Sequence, residues 1–213
     1  MKNTEHKPIL VARIFLFVIY FIGIIGISIP SLRGLYVPLT PYTLLISAVI
    51  LFAFHGSWNL RFAGAIILIA LAGFAVEAIG VHTGVVFGEY SYGPVLGLKV
   101  AEIPAIIALN WAILIYCSYF LAERISQKVL LKLAITAILM VGMDFLIEPV
   151  AIALDMWSWE ASVPPLQNYA AWFAISFLFA GLFHIMKVKT LNPLAAYLFL
   201  FLVMFFGTLN LTL

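Results

Sequence analysis

Residues 143–169 read MDFLIEPVAIALDMWSWEASVPPLQNY, and they hold much of the polar chemistry of an otherwise apolar chain. Asp144 and Glu148 are four residues apart, so they share one face if the segment is helical. Pro149 is expected to end or kink that helix. The residues after it are acidic, aromatic, amide or turn-forming: Asp155, Trp157, Trp159, Glu160, Pro164, Pro165, Gln167 and Asn168.

The composition is that of a membrane protein. Of the 213 residues, 65% are hydrophobic and 9% are charged, whereas soluble domains carry about a quarter charged residues. Such a chain lacks the polar surface to face water on all sides, so we predict an integral membrane protein in contact with the lipid bilayer. The cations are scattered, which gives no basis for a nucleic-acid partner. The single Cys117 excludes an intrachain disulfide.

Apolar runs divide the chain into seven expected spans. They are Ile9–Ile29, Pro41–Phe54, Phe62–Val81, Ile103–Leu121, Val129–Glu148, Tyr169–Met186 and Pro193–Leu211. The second is short for a span of roughly 20 residues, and it reaches that length if it extends back to Leu35. Period-two alternation is absent, so the spans are helices rather than barrel strands. We therefore predict an all-α, polytopic transmembrane bundle in which residues 1–213 form a single domain.

The distribution of Lys and Arg predicts the orientation of the bundle. With seven spans, nine cations fall on the N-terminal side: Lys2, Lys7, Arg13, Arg61, Arg124, Lys128, Lys132, Lys187 and Lys189. Only Arg33 and Lys99 fall on the opposite side. Cytoplasmic loops carry the excess of positive charge, so the N-terminus is expected in the cytoplasm and the C-terminus outside.

This orientation gathers the unusual polar residues in the outer half of the bundle. Glu77 and His82 lie in the outer part of the third span, Asn110 and Trp111 in that of the fourth, and Asp144 and Glu148 in that of the fifth. The loops 83–102 and 150–168 are both outer loops. We therefore expect one polar site at the outer end.

The first outer loop alternates glycines with aromatic residues. Tyr90 and Tyr92 flank Ser91 and follow Glu89 in a segment broken by Gly84, Gly88, Gly93 and Gly97. Glycine permits positive φ and close backbone approach, so the segment is expected to line a cavity, where irregular backbone is tolerated within a membrane. An aromatic belt at the membrane interface is the alternative.

Three carboxyl groups are expected inside the membrane, where a charged side chain costs at least about 2.5–3.5 kcal/mol. Glu77, Asp144 and Glu148 have few cationic neighbours in sequence on their side. We expect at least one to persist as a neutral carboxylic acid, which is suited to proton donation. The alternative is that they bond to helix ends or sit in interfacial water.

Several membrane chemistries are excluded by the residues they require. The last span contains no Lys for a retinal Schiff base, and four His in the whole chain are too few for a di-iron hydroxylase. No Gly-rich nucleotide loop occurs, and no His or Cys pair has metal-ligand spacing. No cofactor and no metal are expected.

Four segments resemble the membrane-bound carotenoid biosynthesis family, which includes γ-carotene and bisanhydrobacterioruberin hydratases. They are EAIGVHTGVVFGEYSYG (Glu77–Gly93), IPAIIALNWAILIY (Ile103–Tyr116), MDFLIEPVA (Met143–Ala151) and DMWSWEASVPPLQNYAAWF (Asp155–Phe173). The resemblance covers most of residues 77–173. It implies an enzyme, a cofactor-independent hydro-lyase that adds water across the terminal double bond of an acyclic ψ end group to give a tertiary alcohol.

The same resemblance implies the surroundings of the protein. Its substrate is expected to be a carotenoid similar to γ-carotene or lycopene, and other enzymes of carotenoid biosynthesis are candidate partners. The expected location is the inner cell membrane, crossed several times.

The residues fit such a reaction, because hydration of an alkene begins with proton transfer from a neutral acid. We expect Asp144 or Glu77 to be the acid and Glu148 or the other carboxylate to orient the water. Aromatic rings are expected to stabilise the cation through their π faces. The predicted substrate-binding residues are His82, Tyr90, Tyr92, Asn110, Trp111, Asp155, Trp157, Trp159 and Asn168.

Two other classes of protein use the same features. A carotenoid end-group cyclase, or another isoprenoid enzyme, also protonates an alkene, and only the access of water decides the product. A proton-coupled transporter or a carotenoid-binding scaffold would also place carboxylates within the membrane.

Overall fold

The computed structural model describes residues 6–213, so Lys2 of the charge count lies outside the described residues. The helices are α1 (His6–Ser28), α2 (Pro30–Tyr36), α3 (Thr40–Ala53), α4 (Leu60–Thr83), α5 (Ile106–Ile125), α6 (Val129–Ala153), α7 (Leu166–Ile185) and α8 (Ala195–Thr212). Within the described range, 7 helical segments are long and apolar enough to cross a membrane. The predicted transmembrane helical bundle is confirmed.

The second span is longer than the predicted Pro41–Phe54. α2, a 3₁₀ turn at Val37–Leu39 and α3 together form one apolar segment, Pro30–Ala53. Each of the three pieces has a proline in its first turn, where the missing N–H costs no hydrogen bond. The prolines therefore join short helical pieces instead of ending the span.

Helix α5 is the centre of the bundle, because it contacts α3, α4, α6, α7 and α8. All ten residues from Trp111 to Phe120 are buried. The outer helices instead expose apolar side chains, such as Val11 of α1 and Leu71 of α4. Polar groups on α5 are thus shielded from lipid by its neighbours.

Helix α6 continues through Pro149 and ends at Ala153, so the expectation that this span ends at Glu148 is wrong. A proline lacks only its own N–H and the bond to the carbonyl four residues earlier, and one further turn follows it here. Asp144 and Glu148 are both buried, at 1% and 3% exposure. The predicted shared face is therefore confirmed.

In the described residues, two short antiparallel ladders, which the sequence did not predict, lie in the loops at one end of the bundle. β1 (Tyr90–Tyr92) pairs with β4 (Trp157–Trp159), and β2 (Lys99–Val100) pairs with β3 (Ile103–Pro104). Gly93 follows β1, and a Cβ there would lie 1.9 Å from the carbonyl oxygen of Asp155. The β1–β4 ladder links the α4–α5 loop to the α6–α7 loop, and we call this end of the bundle the site end.

The opposite end is held by polar contacts of its own. The Nδ1 atom of His55 lies 2.7 Å from the hydroxyl of Tyr116, and its ring stacks on Phe62 with centroids 3.6 Å apart. Lys132 forms a salt bridge of 3.4 Å with Glu123. These contacts hold the helices together at this end.

Candidate active site

Three carboxyl groups from two helices converge on one small pocket at the site end. Glu77 of α4 and Asp144 and Glu148 of α6 line a void of about 30 Å³. This volume is enough for at least one water molecule. The other lining residues are mostly aromatic or amide side chains: Phe87, Tyr90, Tyr92, Ile107, Asn110, Trp157, Trp159, Asn168 and Trp172. We call this void the carboxylate pocket.

Glu77 is surrounded by hydrogen-bond donors. Its Oε2 atom accepts from the hydroxyls of Tyr90 at 2.5 Å and Tyr92 at 2.8 Å. Its Oε1 atom accepts from the indole Nε1 of Trp111 at 2.9 Å. Trp111 reaches α4 because Gly73 has no side chain, since a Cβ there would lie 2.6 Å from the indole Cγ. Both oxygens of Glu77 are therefore held by the protein.

Strand β4, the other half of the ladder, supplies hydrogen-bond donors to Glu148. The indole Nε1 atoms of Trp157 and Trp159 donate to its Oε2 atom at 3.0 and 2.8 Å. In the ladder register, Tyr90 pairs with Trp159 and Tyr92 with Trp157. One strand thus supplies two donors to Glu77, and its partner supplies two to Glu148.

Asp144 has fewer donors than its neighbours. The side-chain amide of Asn168 donates to its Oδ2 atom at 2.7 Å, whereas no described residue donates to its Oδ1 atom. Asn168 lies in the first turn of α7. A single polar contact leaves one oxygen of Asp144 available to a bound molecule.

Tyr90 and Tyr92 lie in the loop outside the spans. Burial, and next the negative charge of Glu77, raise the pKa of both phenols above the ordinary value of 10.0. Both residues therefore stay protonated at physiological pH and act as donors to Glu77.

A larger apolar cavity of about 270 Å³ adjoins the carboxylate pocket. Helices α1, α3, α5 and α8 supply much of its wall, with Tyr20, Leu44, Leu202 and Phe205 among the lining side chains. Ile107, Asn110 and Trp157 line both spaces. We call this space the apolar cavity, and these three residues are its boundary with the carboxylate pocket.

The apolar cavity reaches the apolar outer surface of the bundle. Ile22 and Leu39 line the cavity and are 45% and 48% exposed. Their side chains belong to spans α1 and Pro30–Ala53. The wall of the apolar cavity is therefore continuous with the apolar outer surface of these two spans.

Most of the predicted site residues lie in or beside the carboxylate pocket. Glu77, Tyr90, Tyr92, Asn110, Asp144, Glu148, Trp157, Trp159 and Asn168 line the carboxylate pocket, and Trp111 bonds to Glu77. His82 is exposed, and its ring bonds to the Ala78 carbonyl of its own helix. Asp155 is exposed in a turn at φ 55°. The structure does not bring His82 or Asp155 into the pocket.

Sequence reasoning missed three lining residues, Phe87, Ile107 and Trp172. Trp172 stacks on Trp111 with ring centroids 4.2 Å apart and an interplanar angle of 17°. Trp172 lies one helical turn after Asn168, so the sequence could have predicted that the two residues share a helix face. In the described part of the chain, no three His, Cys, Asp or Glu side chains are arranged to hold a metal ion.

Comparison with known proteins identifies the family. The sequence model for carotenoid biosynthesis proteins matches residues 37–213. The chain is 28% identical over 117 residues to bisanhydrobacterioruberin hydratase of Haloarcula japonica, a match that covers 51% of this chain and 40% of that protein. No solved structure matches the chain. Because the family match spans well over half of its length, the chain belongs to the carotenoid biosynthesis protein family.

Proposed function

We propose that the protein is a carotenoid hydratase that adds water across the terminal double bond of an acyclic ψ end group. One observation carries the proposal: a pocket of water size, lined by three carboxyl groups, borders an apolar cavity that reaches the lipid-facing surface. The hydratase name of the similar Haloarcula protein supports the same reaction class.

Asp144 is the proton donor in this proposal. Both oxygens of Glu77 are occupied by donors, whereas the Oδ1 atom of Asp144 accepts none from the described residues. The O–H bond of the acid breaks, and a C–H bond forms at the less substituted alkene carbon. A tertiary carbocation and the Asp144 carboxylate result.

Aromatic side chains and carboxylates stabilise that cation. Trp157 lines both spaces, and its indole is fixed by its bond to Glu148. A cation over an aromatic face gains about 0.5–2 kcal/mol, and the Asp144 carboxylate adds a Coulombic attraction that the low local dielectric strengthens.

Water then completes the reaction. Its oxygen bonds to the tertiary carbon, and the proton that it loses passes through Glu148 to Asp144, which restores the acid. No described residue donates to Oε1 of Glu148, so this atom is available to accept the proton. The product is the tertiary alcohol, and no cofactor is consumed.

The size of the carboxylate pocket favours water capture over ring closure. A void of about 30 Å³ accommodates water, so a nucleophile can be held next to the apolar cavity in which the cation forms. This supports the hydratase over the cyclase.

The test is expression of the chain in a bacterium that accumulates lycopene or γ-carotene, with mass analysis of the pigments. We expect a product heavier by one water with an unchanged chromophore. Asp144→Asn should lose that product, whereas Glu102→Gln, which changes an exposed carboxyl group, should keep it. An isomer of unchanged mass, or unaltered pigment from abundant protein, would contradict the hydratase.

A further inference from the structure

Asn110 lies at the boundary between the carboxylate pocket and the apolar cavity. Three residues line both the carboxylate pocket and the apolar cavity: Ile107, Asn110 and Trp157. Ile107 is apolar, and the indole N–H of Trp157 is bonded to Glu148. Among the described residues, the amide of Asn110 is therefore the one side-chain hydrogen-bonding group at this boundary that has no partner.

The side chain of Asn110 makes no hydrogen bond to any described residue. Its neighbours in the site differ, since Trp111 donates to Glu77 and Asn168 donates to Asp144. Asn110 is half-buried on α5, the central helix. Its amide therefore faces the two spaces with both its donor and its acceptor available, so it can bind water or a polar group of a ligand.

We propose that Asn110 is a positioning residue that holds the water molecule which captures the carbocation. This inference rests on the proposed hydratase function and goes beyond it. The amide oxygen accepts one O–H of the water, which leaves an oxygen lone pair to face the apolar cavity, where the cation forms. Asn110 therefore decides which product leaves the site.

The carbocation can react in two ways, and in each of them the atoms and charges balance. When water is held, its oxygen bonds to the tertiary carbon and its proton returns to the carboxylate, which gives the alcohol. When water is absent, a C–H bond of an adjacent carbon breaks and its proton returns to the Asp144 carboxylate, which regenerates an alkene. In heavy water the second route exchanges hydrogen for deuterium without adding oxygen.

The experiment uses the purified full-length protein in lipid vesicles that contain lycopene, in D₂O buffer. Wild type should give the tertiary alcohol with deuterium on carbon. Asn110→Leu, a substitution of similar size, should release deuterium-labelled alkene, and its ratio of alcohol to labelled alkene should fall at least about tenfold. Asn110→Ser keeps a hydrogen-bonding group and should restore part of the alcohol.

Controls separate this inference from the proposed function. Ser118→Ala changes another residue of α5, whose buried hydroxyl has no hydrogen-bond partner among the described residues, and it should keep the wild-type product ratio. Alcohol at the wild-type ratio from Asn110→Leu would overturn the role of Asn110. Abundant Asn110→Leu protein that neither labels nor hydrates would overturn it too, because proton transfer would then depend on Asn110. Wild type that forms neither product would overturn the hydratase itself.

Discussion

Tyr90 and Trp159 are direct cross-strand partners with ring centroids 5.0 Å apart, and each donates a hydrogen bond to a carboxyl group on a different helix. Tyr90 donates to Glu77 of α4, and Trp159 donates to Glu148 of α6. The β1–β4 ladder therefore fixes the position of one carboxyl group relative to the other. Four of the five donors to these two groups come from this ladder.

Gly93→Ala should disrupt the site without a direct change to any carboxyl group. The added Cβ would lie 1.9 Å from the carbonyl oxygen of Asp155, so the two loops must separate. We expect loss of most product in the pigment assay. Gly142→Ala is the matched control, because no atom of the described residues crowds its added Cβ within 4 Å, and Ala is favoured over Gly in a helix by about 0.5–1 kcal/mol. Equal activity of both variants would contradict a role for the ladder.

Tyr92→Phe should destabilise the protein by about 1–3 kcal/mol, because it removes one donor from the buried Glu77. The measurement is thermal unfolding in detergent. Tyr42→Phe removes a hydroxyl from a side chain that is 63% exposed, and it should change the midpoint little. A midpoint for Tyr92→Phe that matches that of Tyr42→Phe would mean that the bond to Glu77 contributes nothing.

Ile22→Trp should block the apolar cavity at the outer surface of the bundle. Ile22 lines the cavity, whereas Ile25, which has a similar exposure of 43%, does not line it. We expect Ile22→Trp to lower the rate of product formation in vesicles and Ile25→Trp to leave it unchanged. Full activity of Ile22→Trp would place the entry of substrate elsewhere.

His55 should make a contribution to stability that is lost as the pH is lowered. Burial lowers the pKa of His55 below its ordinary value of 6.5, so the unfolded chain binds the proton more readily than the folded chain. This contribution to stability is fully present above pH 6.5 and is lost as the pH falls through the folded pKa. His55→Gln should remove this contribution, so the unfolding midpoint of the variant should fall less than that of wild type, or rise more, as the pH is lowered below 6.5. A His55→Gln variant whose midpoint depends on pH in the same way as that of wild type would contradict this assignment.

Cysteine labelling in whole cells tests the predicted orientation. In a Cys117→Ala background, a cysteine at Glu160 should react with an impermeant maleimide added outside, because that residue is exposed at the site end. A cysteine at Lys189, which is exposed at the opposite end, should react only after the cells are opened. The reverse pattern would invert the orientation drawn from the charges.

The sequence predicted the transmembrane bundle because the number of spans depends on the length and hydropathy of each run, which are local properties. The ends of the spans were harder to predict than their number. Pro30 and Pro38 made the first half of the second span hard to recognise, and Pro149 suggested an end five residues too early. A proline in a sequence does not reveal whether the helix continues after it.

The contacts within the site were harder to predict from the sequence than the helices. Spacing on one helix indicated that Asp144 and Glu148 share a face. No local pattern indicated that Tyr90 pairs with Trp159, because strands of three residues are too short for a clear alternation and the partners lie far apart in sequence. For the same reason, only the structure distinguishes Asn110, at the boundary of two spaces, from His82, which bonds to its own helix.

The β1–β4 ladder also fixes the order of assembly during biogenesis. β1 is synthesised before α5 and α6, and β4 follows both. Tyr90 and Tyr92 therefore have no cross-strand partners until the ribosome has completed two further spans. Glu77 enters the membrane long before its full set of neighbours exists, so a nascent chain that stops before β4 inserts a carboxyl group without the ladder that holds it.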